Sequence, residues 1–210
     1  MPVMPRRVPA DPADHTSNGS HTASANQVPD GLRPYIHHGV DLTVRGGHGV
    51  GECPFCFTAG KFSVDVDSGL WRCFVCGEGT DKGGGNALVF LRLLHEAAVA
   101  HTDSKFYSEV SRDRRLCSHN TPVAWGVCRS PISHQSWLVP GYGVDGKLDQ
   151  LYKRIRIQNS KGEWVWQLLP TPGVWPDGKV HGLHMPSADF DPACPSVYVC
   201  EGIWDGLALW

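Results

Sequence analysis

Two pairs of cysteines constrain this chain more than any other feature of its sequence. Cys53 and Cys56 form one Cys-x-x-Cys motif, Cys73 and Cys76 form a second, and residues 57–72 separate the two pairs. Two intervening residues let both thiolates of a pair reach one tetrahedral ion, and two such pairs supply four ligands. Four protein ligands leave no open coordination position. The spacing therefore predicts a structural Zn²⁺ ion rather than a catalytic one.

Composition narrows the class of protein. The sequence shows no secretory signal and no apolar run of transmembrane length, so we expect a cytoplasmic protein with no membrane partner, in which thiols stay reduced. The 24 Gly and 16 Pro indicate many turns and short elements rather than a helical bundle. The net charge is −2, so any surface that binds nucleic acid must be local.

The segment around the cysteines predicts a small β-rich unit followed by a helix. Residues 61–66 alternate apolar and polar side chains, a second β-like run covers 70–75, and "DSG" between them is a turn signal, which together predict a hairpin. Asn86 is positioned to cap a helix from Ala87 to about Ala100.

The sequence between about residues 105 and 169 predicts two short helices followed by a β-meander. We expect a helix over 105–116 and a shorter one from about Thr121. Strands are predicted from Trp137, over 148–157 and over 164–169, with turns at "VDGK" and "SKG".

Cations and aromatic residues surround the cysteine pairs. Lys61 and Arg72 are candidate phosphate contacts, and Trp71 is a candidate for stacking on bases. The alternative is that Trp71 and Phe74 fill a small core beside the metal, with Phe74 the better core candidate. The sequence leaves both open.

A second cationic segment lies on the predicted meander. Lys153, Arg154 and Arg156 are candidate contacts to phosphate or nucleotide. Arg154 and Arg156 share one face of a strand, and Lys153 shares the other with Ile155 and Ile157. We therefore expect the arginine pair to be exposed and the Lys153 face to be buried. Trp164 and Trp166 are expected to cover the core.

The last segment resembles a ligand-binding strand end. The run Ser196–Cys200 reads as a buried parallel strand, with Glu201 at its carboxyl end, where ligands bind in open α/β sheets. Gly202 permits a sharp turn, and Asp205 falls in the first turn of the helix that we expect to follow.

The motif "GECPFC…KFSVDV…WRCFVCGEG…GGGNALVFL", over about residues 35–97, resembles the zinc-binding domain of bacterial and phage DNA primases. Cysteine at the second ligand position is similar to the phage primase-helicase branch. The three glycines Gly83 to Gly85 depart from the family pattern and lengthen the exit to the helix. The resemblance implies that the zinc ribbon reads a single-stranded template.

Two later segments extend the resemblance. "VYVCEGIWDGLAL" looks like the first motif of the Toprim fold, which implies that Glu201 helps organise Mg²⁺ or transfers a proton, with Asp205 in support. "PGYGVDGKL" and the cationic strand after it resemble the start of the primase polymerase domain. The family completes its site with a later Asp-x-Asp pair, which these residues do not include, so we expect no primer synthesis by this chain alone.

We therefore expect an α+β protein in five parts: a disordered arm (1–33), a zinc ribbon with its following helix (34–100), a helical linker (101–135), a basic β-meander that begins the polymerase domain (136–194) and the start of an α/β Toprim fold (195–210).

The implied function is that of the amino-terminal part of a phage-type or plasmid-type DNA primase, a DNA-directed RNA polymerase. Its implied partners are single-stranded DNA, ribonucleoside triphosphates and a replicative helicase, fused or separate. Its implied cofactors are structural Zn²⁺ and, in a complete Toprim domain, Mg²⁺. The alternative is a non-catalytic zinc-ribbon DNA-binding protein, or a remnant of a mobile-element replication protein.

Overall fold

The structure, a computed structural model, describes residues 28–77, 83–116, 118, 120–133, 135–143 and 145–175. It is a mixed α+β fold, as the sequence predicts, with a β-rich part that contains the four cysteines. A 3₁₀ turn (Asp30–Leu32) precedes four helices: α1 (Arg33–His37), α2 (Ala87–His101), α3 (Ser104–Arg114) and α4 (Asn120–Ala124). The strands are β1 (Leu42–Arg45), β2 (His48–Gly51), β3 (Phe62–Asp65), β4 (Trp71–Cys73), β5 (Gly84–Gly85), β6 (Cys128–Arg129), β7 (Trp137–Tyr142), β8 (Leu148–Gln158) and β9 (Trp164–Pro170). Within these ranges no helix has both the length and the apolar character needed to cross a bilayer.

The first sheet is antiparallel, with its strands in sequence order from β1 to β5. The predicted hairpin is its β3–β4 unit. The carboxylate of Asp65 accepts hydrogen bonds from the backbone N–H and the hydroxyl of Ser68, which fixes the turn. The β1–β2 hairpin was not predicted. It turns at Gly46 and Gly47, both with positive φ, and two consecutive glycines of this kind form the tightest hairpin loop.

The second sheet is the predicted meander, β7–β8–β9, with the short strand β6 added at the edge beside β7. Helices α2 and α3 begin at side-chain caps. Asn86 Oδ1 accepts from the N–H of Val89 in α2, and Asp103 Oδ1 accepts from the N–H of Phe106 in α3. Helix α2 and its cap confirm the prediction from sequence.

A core layer around α2 joins the two sheets. Helix α2 packs on one side against the inner face of the first sheet and on the other against one face of the second. The buried side chains of this core layer include Phe62, Trp71, Phe90, Leu94, Leu138 and Leu151. The opposite face of the second sheet is covered by α3, where Phe106 and Val110 pack with Val139 and Tyr152. The central strand β8 is therefore covered on both faces along its first half.

Residues 28–33 differ from the expected disordered arm. Leu32 is only 1% exposed, and a Cβ at Gly31 would lie 2.6 Å from the carbonyl oxygen of Val66, so this segment packs tightly on the β3–β4 turn. Tyr35 fixes the same contact from α1, because its buried hydroxyl donates to the carbonyl of Gly69 at 2.6 Å. Residues 1–27 and the predicted Toprim start (195–210) lie outside the described residues.

Candidate metal centre and nucleic-acid surface

The four cysteines of the two motifs come together at one end of the first sheet. Their sulfur atoms all lie within 4.8 Å of one another. Cys53 Sγ is 3.8 Å from Cys76 Sγ, and Cys56 Sγ is 3.7 Å from Cys73 Sγ. Ligands about 2.3 Å from a tetrahedral zinc ion are ~3.8 Å apart, so these separations fit zinc.

The first motif forms a tight loop before β3. The N–H of Phe57 donates to the carbonyl of Cys53 at 2.8 Å, and the N–H of Cys53 donates to the carbonyl of Thr58 at 3.2 Å. Phe57 adopts a left-handed conformation with φ of 56°. This turn directs Cys53 and Cys56 to the same side.

The second motif follows β4 and repeats the arrangement. The N–H of Gly77 donates to the carbonyl of Cys73 at 3.0 Å, and the N–H of Cys76 donates to Cys73 Sγ at 3.4 Å. Cys73 is anchored from the far side, since its N–H donates to the carbonyl of Gly83 at 2.7 Å. A Cβ at Gly83 would overlap the backbone of Gly77, so the first glycine of the inserted triplet permits this close approach.

Burial keeps part of the cluster protonated when no cation is present. It raises the pKa of Cys53 to about 11 and raises the pKa of Cys76 further, with neighbouring thiols adding to the effect at Cys76. A cation that the thiolates can share removes this penalty. Four soft sulfur donors with no oxygen or nitrogen among them suit zinc, and the closed set indicates a structural site.

The first sheet presents one face to solvent, which we call the outer face. Cross-strand partners point to the same side of a sheet, and the register aligns Arg45 with His48 and Ser63 with Arg72. Alternation puts Lys61 and Phe74 on this side as well. Its exposed members include Arg45, His48, Lys61, Arg72 and Phe74, and the partly exposed carboxylate of Asp65 lies opposite His48 on the same face.

The structure reverses the expected roles of the two aromatic residues. Trp71 is 2% exposed, its ring stacks on Phe62 with centroids 5.3 Å apart, and its indole N–H donates to the carbonyl of Asn86 at 3.2 Å. Phe74 is 52% exposed, and the Arg72 guanidinium lies 5.3 Å from the centre of its ring. The sequence proposal that Trp71 stacks on bases is therefore corrected: Trp71 belongs to the core, and Phe74 is available at the surface.

The cations of β8 are also placed differently from the expectation. Arg154 was expected on an exposed face but is 1% exposed, because α3 covers that face and Asp113 of α3 accepts a hydrogen bond from it at 3.1 Å. Lys153 is half-buried and donates to the carbonyl of His37 at 2.7 Å. Arg156 lies two residues farther along β8, beyond the part that α3 covers, and is exposed as expected. Neither Arg154 nor Lys153 offers its charge to an external phosphate in this structure.

Trp164 and Trp166 were expected to cover the core, and this expectation is wrong. Trp164 is 59% exposed and Trp166 is 38% exposed. They lie on the half of β9 that extends past the helices. Glu201 and Asp205, the predicted Mg²⁺ residues, lie outside the described residues.

Comparisons with known proteins find a remote structural likeness. No family model matches the sequence, and no curated protein matches it. A search of solved structures finds the crystal structure of the Aquifex aeolicus primase (zinc-binding and RNA polymerase domains), at 11% identity and a TM-score of 0.26. The match covers 68% of this chain and 53% of that one, so this chain spans about half the length of the solved relative. A TM-score of this size is below that of two chains with a common fold, and the likeness by itself assigns no function.

Proposed function

We propose that this chain is the amino-terminal part of a DNA primase, in which a zinc-held ribbon binds the single-stranded template. The primase motifs of the sequence and the cysteine cluster support the proposal. The observation that carries it is that one short stretch of backbone bears both metal ligands and outward-facing side chains.

That stretch is residues 71–76. Cys73 and Cys76 point to the metal centre, while Arg72 and Phe74 alternate with them and point outward. The strand partner of this segment brings Lys61 alongside, since the N–H of Phe74 donates to the carbonyl of Lys61 at 3.1 Å. A metal ion that fixes the two cysteines thus also fixes the positions of the cations and the ring.

The outer face carries the groups that single-stranded nucleic acid requires. Lys61 and Arg72 are exposed cations that can contact successive phosphates, and Phe74 offers a ring on which a base can stack. Arg45 and His48 continue the polar surface toward the β1–β2 turn. Phosphate contact and stacking on a base do not depend on the identity of the base, so this mode of binding has little sequence preference.

The catalytic part of the proposal rests on sequence alone. Glu201 and Asp205 would contribute carboxylates to Mg²⁺ binding in a protein that also contains the later Asp-x-Asp pair. Bound Mg²⁺ would neutralise charge on ribonucleoside triphosphates during primer synthesis. A replicative helicase would deliver the template, fused to the primase or as a separate protein.

Template binding is tested by fluorescence anisotropy with an oligo(dT) probe at several salt concentrations. We expect the affinity to fall with salt, and Lys61→Gln and Arg72→Gln each to reduce the slope of log K against log [salt] by about 0.7, because each removes one phosphate contact on a single strand. Arg33→Gln is the matched control: it removes one exposed cation that is paired with Asp30, away from the outer face, and should leave the slope unchanged. Equal effects of all three variants would contradict the assignment.

Primer synthesis is tested in a version extended through the later acidic motif. We expect Glu201→Gln to abolish ribonucleotide incorporation without changing template affinity, while Asp189→Asn, a matched loss of one carboxylate, retains synthesis. Template binding without any synthesis in the extended wild-type protein would favour the non-catalytic DNA-binding alternative.

A further inference from the structure

Tryptophan and arginine side chains alternate along one face of the second sheet. We call the set Trp137, Arg154, Trp166, Arg156 and Trp164 the Trp–Arg ladder. The register explains it, because Arg154 pairs with Trp137 across β7–β8 and Arg156 pairs with Trp166 across β8–β9. Cross-strand partners share a face, so the five side chains form one continuous row.

At the inner end of the ladder, Arg154 is buried and held between two tryptophan rings that are themselves partly exposed. The guanidinium carbon of Arg154 lies 4.1 Å from the ring centres of both Trp137 and Trp166, whose own centres are 5.2 Å apart. Asp113 of α3 holds the same guanidinium by a hydrogen bond. This end of the row packs against α3 and determines where Trp166 lies.

The outer end is open. Trp164 is 59% exposed, and the guanidinium of Arg156 lies 5.9 Å from the ring centres of both Trp164 and Trp166. Among the described residues, no carboxylate forms an ion pair with Arg156. A large aromatic surface and an exposed cation therefore lie side by side, outside the core that α3 covers.

The hairpin that carries the open end is held rigidly. In the β8–β9 turn, Asn159 Oδ1 accepts from the N–H groups of Lys161 and Glu163, and the Asn159 amide donates to the Glu163 carboxylate at 2.9 Å. The strands on either side are fully paired from Tyr152 with Pro170 to Gln158 with Trp164. A rigid hairpin loses little conformational freedom when a ligand stacks on it.

We propose that the open end of the Trp–Arg ladder is a second binding surface for single-stranded nucleic acid, separate from the outer face of the ribbon. Trp164 stacks on a base, Trp166 extends the aromatic surface, and Arg156 contacts the adjacent phosphate. Arg154 is a positioning residue that holds Trp166. The inference deepens the proposed template-binding function, since one strand that reached both surfaces would cross from the ribbon to the second sheet.

The chemistry of the open end favours single-stranded nucleic acid over an apolar protein partner. Exposed tryptophans beside the exposed Arg156 match the alternation of bases and phosphates in a single strand. Asp113 is engaged by Arg154 at the inner end of the ladder, and in the described part of the chain no ion pair neutralises Arg156 at the open end. An apolar partner would leave the Arg156 charge to be buried without a counter-charge.

The test measures binding of the full chain to oligo(dT) and oligo(rU) probes by anisotropy. We expect Trp164→Ala to weaken binding about tenfold and Trp164→Phe to restore most of it, because a smaller ring still stacks. Val165→Ala is the matched control, as Val165 is 37% exposed on the opposite face of the same strand. Arg156→Gln is expected to weaken binding more than Lys161→Gln, which removes the same charge from the turn. Thermal unfolding of each variant verifies that the fold is retained.

The outcomes separate this inference from the ribbon proposal. If Trp164→Ala and Val165→Ala bind like the wild type while Phe74→Ala is weakened, the second surface is refuted and the ribbon assignment stands. If Trp164→Ala is weakened and Phe74→Ala is not, the second surface stands and the ribbon assignment fails. Preference for oligo(rU) over oligo(dT) at the Trp164-dependent step would identify the bound strand as RNA, and the reverse preference as DNA. Absence of binding to either probe by the wild type refutes both proposals.

Discussion

Arg154 Nη2 lies 3.1 Å from Asp113 Oδ2, and this contact ties the centre of the second sheet to the last turn of α3. Arg154 is 1% exposed, whereas the Asp113 side chain is 41% exposed. Burial, with the nearby charge of Arg114, lowers the pKa of Arg154 to about 10 despite the carboxylate. The guanidinium therefore stays charged at neutral pH and depends on Asp113 and two tryptophan rings for stabilisation.

Replacing Arg154 should destabilise the protein strongly. We expect Arg154→Ala to lower the free energy of unfolding by about 2–4 kcal/mol, because it leaves a cavity and removes the contacts with Trp137 and Trp166. Arg156→Ala, the same change two residues along the strand but at the surface, should cost less than ~0.5 kcal/mol. Urea denaturation measures both, and equal losses would contradict the burial of Arg154.

The four-cysteine ligand set predicts how much zinc each chain binds. Wild-type protein should carry about one zinc per chain, and Cys73→Ser should lose it because three thiolates and a hydroxyl hold zinc far less tightly. Cys128→Ala is the control, since Cys128 is buried in the second sheet away from the cluster. Elemental mass spectrometry after gel filtration gives the ratio. Full zinc content in Cys73→Ser, or its loss in Cys128→Ala, would refute the ligand set.

The two aromatic residues of the ribbon should separate stability from binding. We expect Trp71→Ala to lower the free energy of unfolding by about 3–5 kcal/mol, as for a buried tryptophan, and Phe74→Ala to change it by less than ~0.5 kcal/mol. Phe74→Ala should instead weaken binding to oligo(dT) severalfold. Parallel denaturation and anisotropy measurements check the pair, and unchanged DNA affinity in Phe74→Ala would remove Phe74 from the binding surface.

Buried His38 and its partly buried neighbour His37 predict loss of stability in mild acid. Burial, with the charge of Lys153, lowers the pKa of His37 to about 4. Burial also lowers the pKa of His38 well below its usual value, with His37 and Lys153 adding to the effect. Both are neutral when folded and bind protons more readily when unfolded, so their contribution is present above pH 6.5 and is lost as the pH falls toward the folded-state pKa values. The expected loss is roughly 1 kcal/mol per histidine between pH 7 and pH 5.5.

His38→Gln tests this dependence. His38 Nε2 lies 2.7 Å from the Thr171 hydroxyl, which itself donates to the carbonyl of Leu151, so the ring nitrogen is the donor. The variant should be less stable at pH 7 but should lose less stability than the wild type on acidification. Exposed His101→Gln serves as the control, and any effect of acid on the metal centre cancels in the comparison. A pH dependence unchanged by His38→Gln would contradict the account.

Short-range patterns in the sequence predicted most of the elements. The cysteine spacing, the "DSG" turn, the Asn86 cap and the three meander strands depend on neighbouring residues only, and the structure contains each of them. The β1–β2 hairpin was missed although Gly46-Gly47 is a strong turn signal, because Thr43, Val44 and Val50 show no clear alternation of apolar and polar side chains.

The exposure of individual side chains could not be predicted in the same way. Alternation correctly separated Lys153 from Arg154, but which face is covered depends on where α2 and α3 pack, and here each covers one face of β8. The burial of Trp71 and the exposure of Phe74 could not be predicted for the same reason, because they depend on which side of the ribbon α2 covers. Tertiary packing decided these positions, and the local sequence carried no signal for it.

The most direct test of the central claim compares single-stranded DNA binding with and without zinc. Oligo(dT) anisotropy is measured on the zinc-loaded chain, after chelation and after zinc is restored. If the metal holds the backbone that presents Lys61, Arg72 and Phe74, chelation should weaken binding by about tenfold or more and restored zinc should recover it. Equal affinity in all three states would contradict the account.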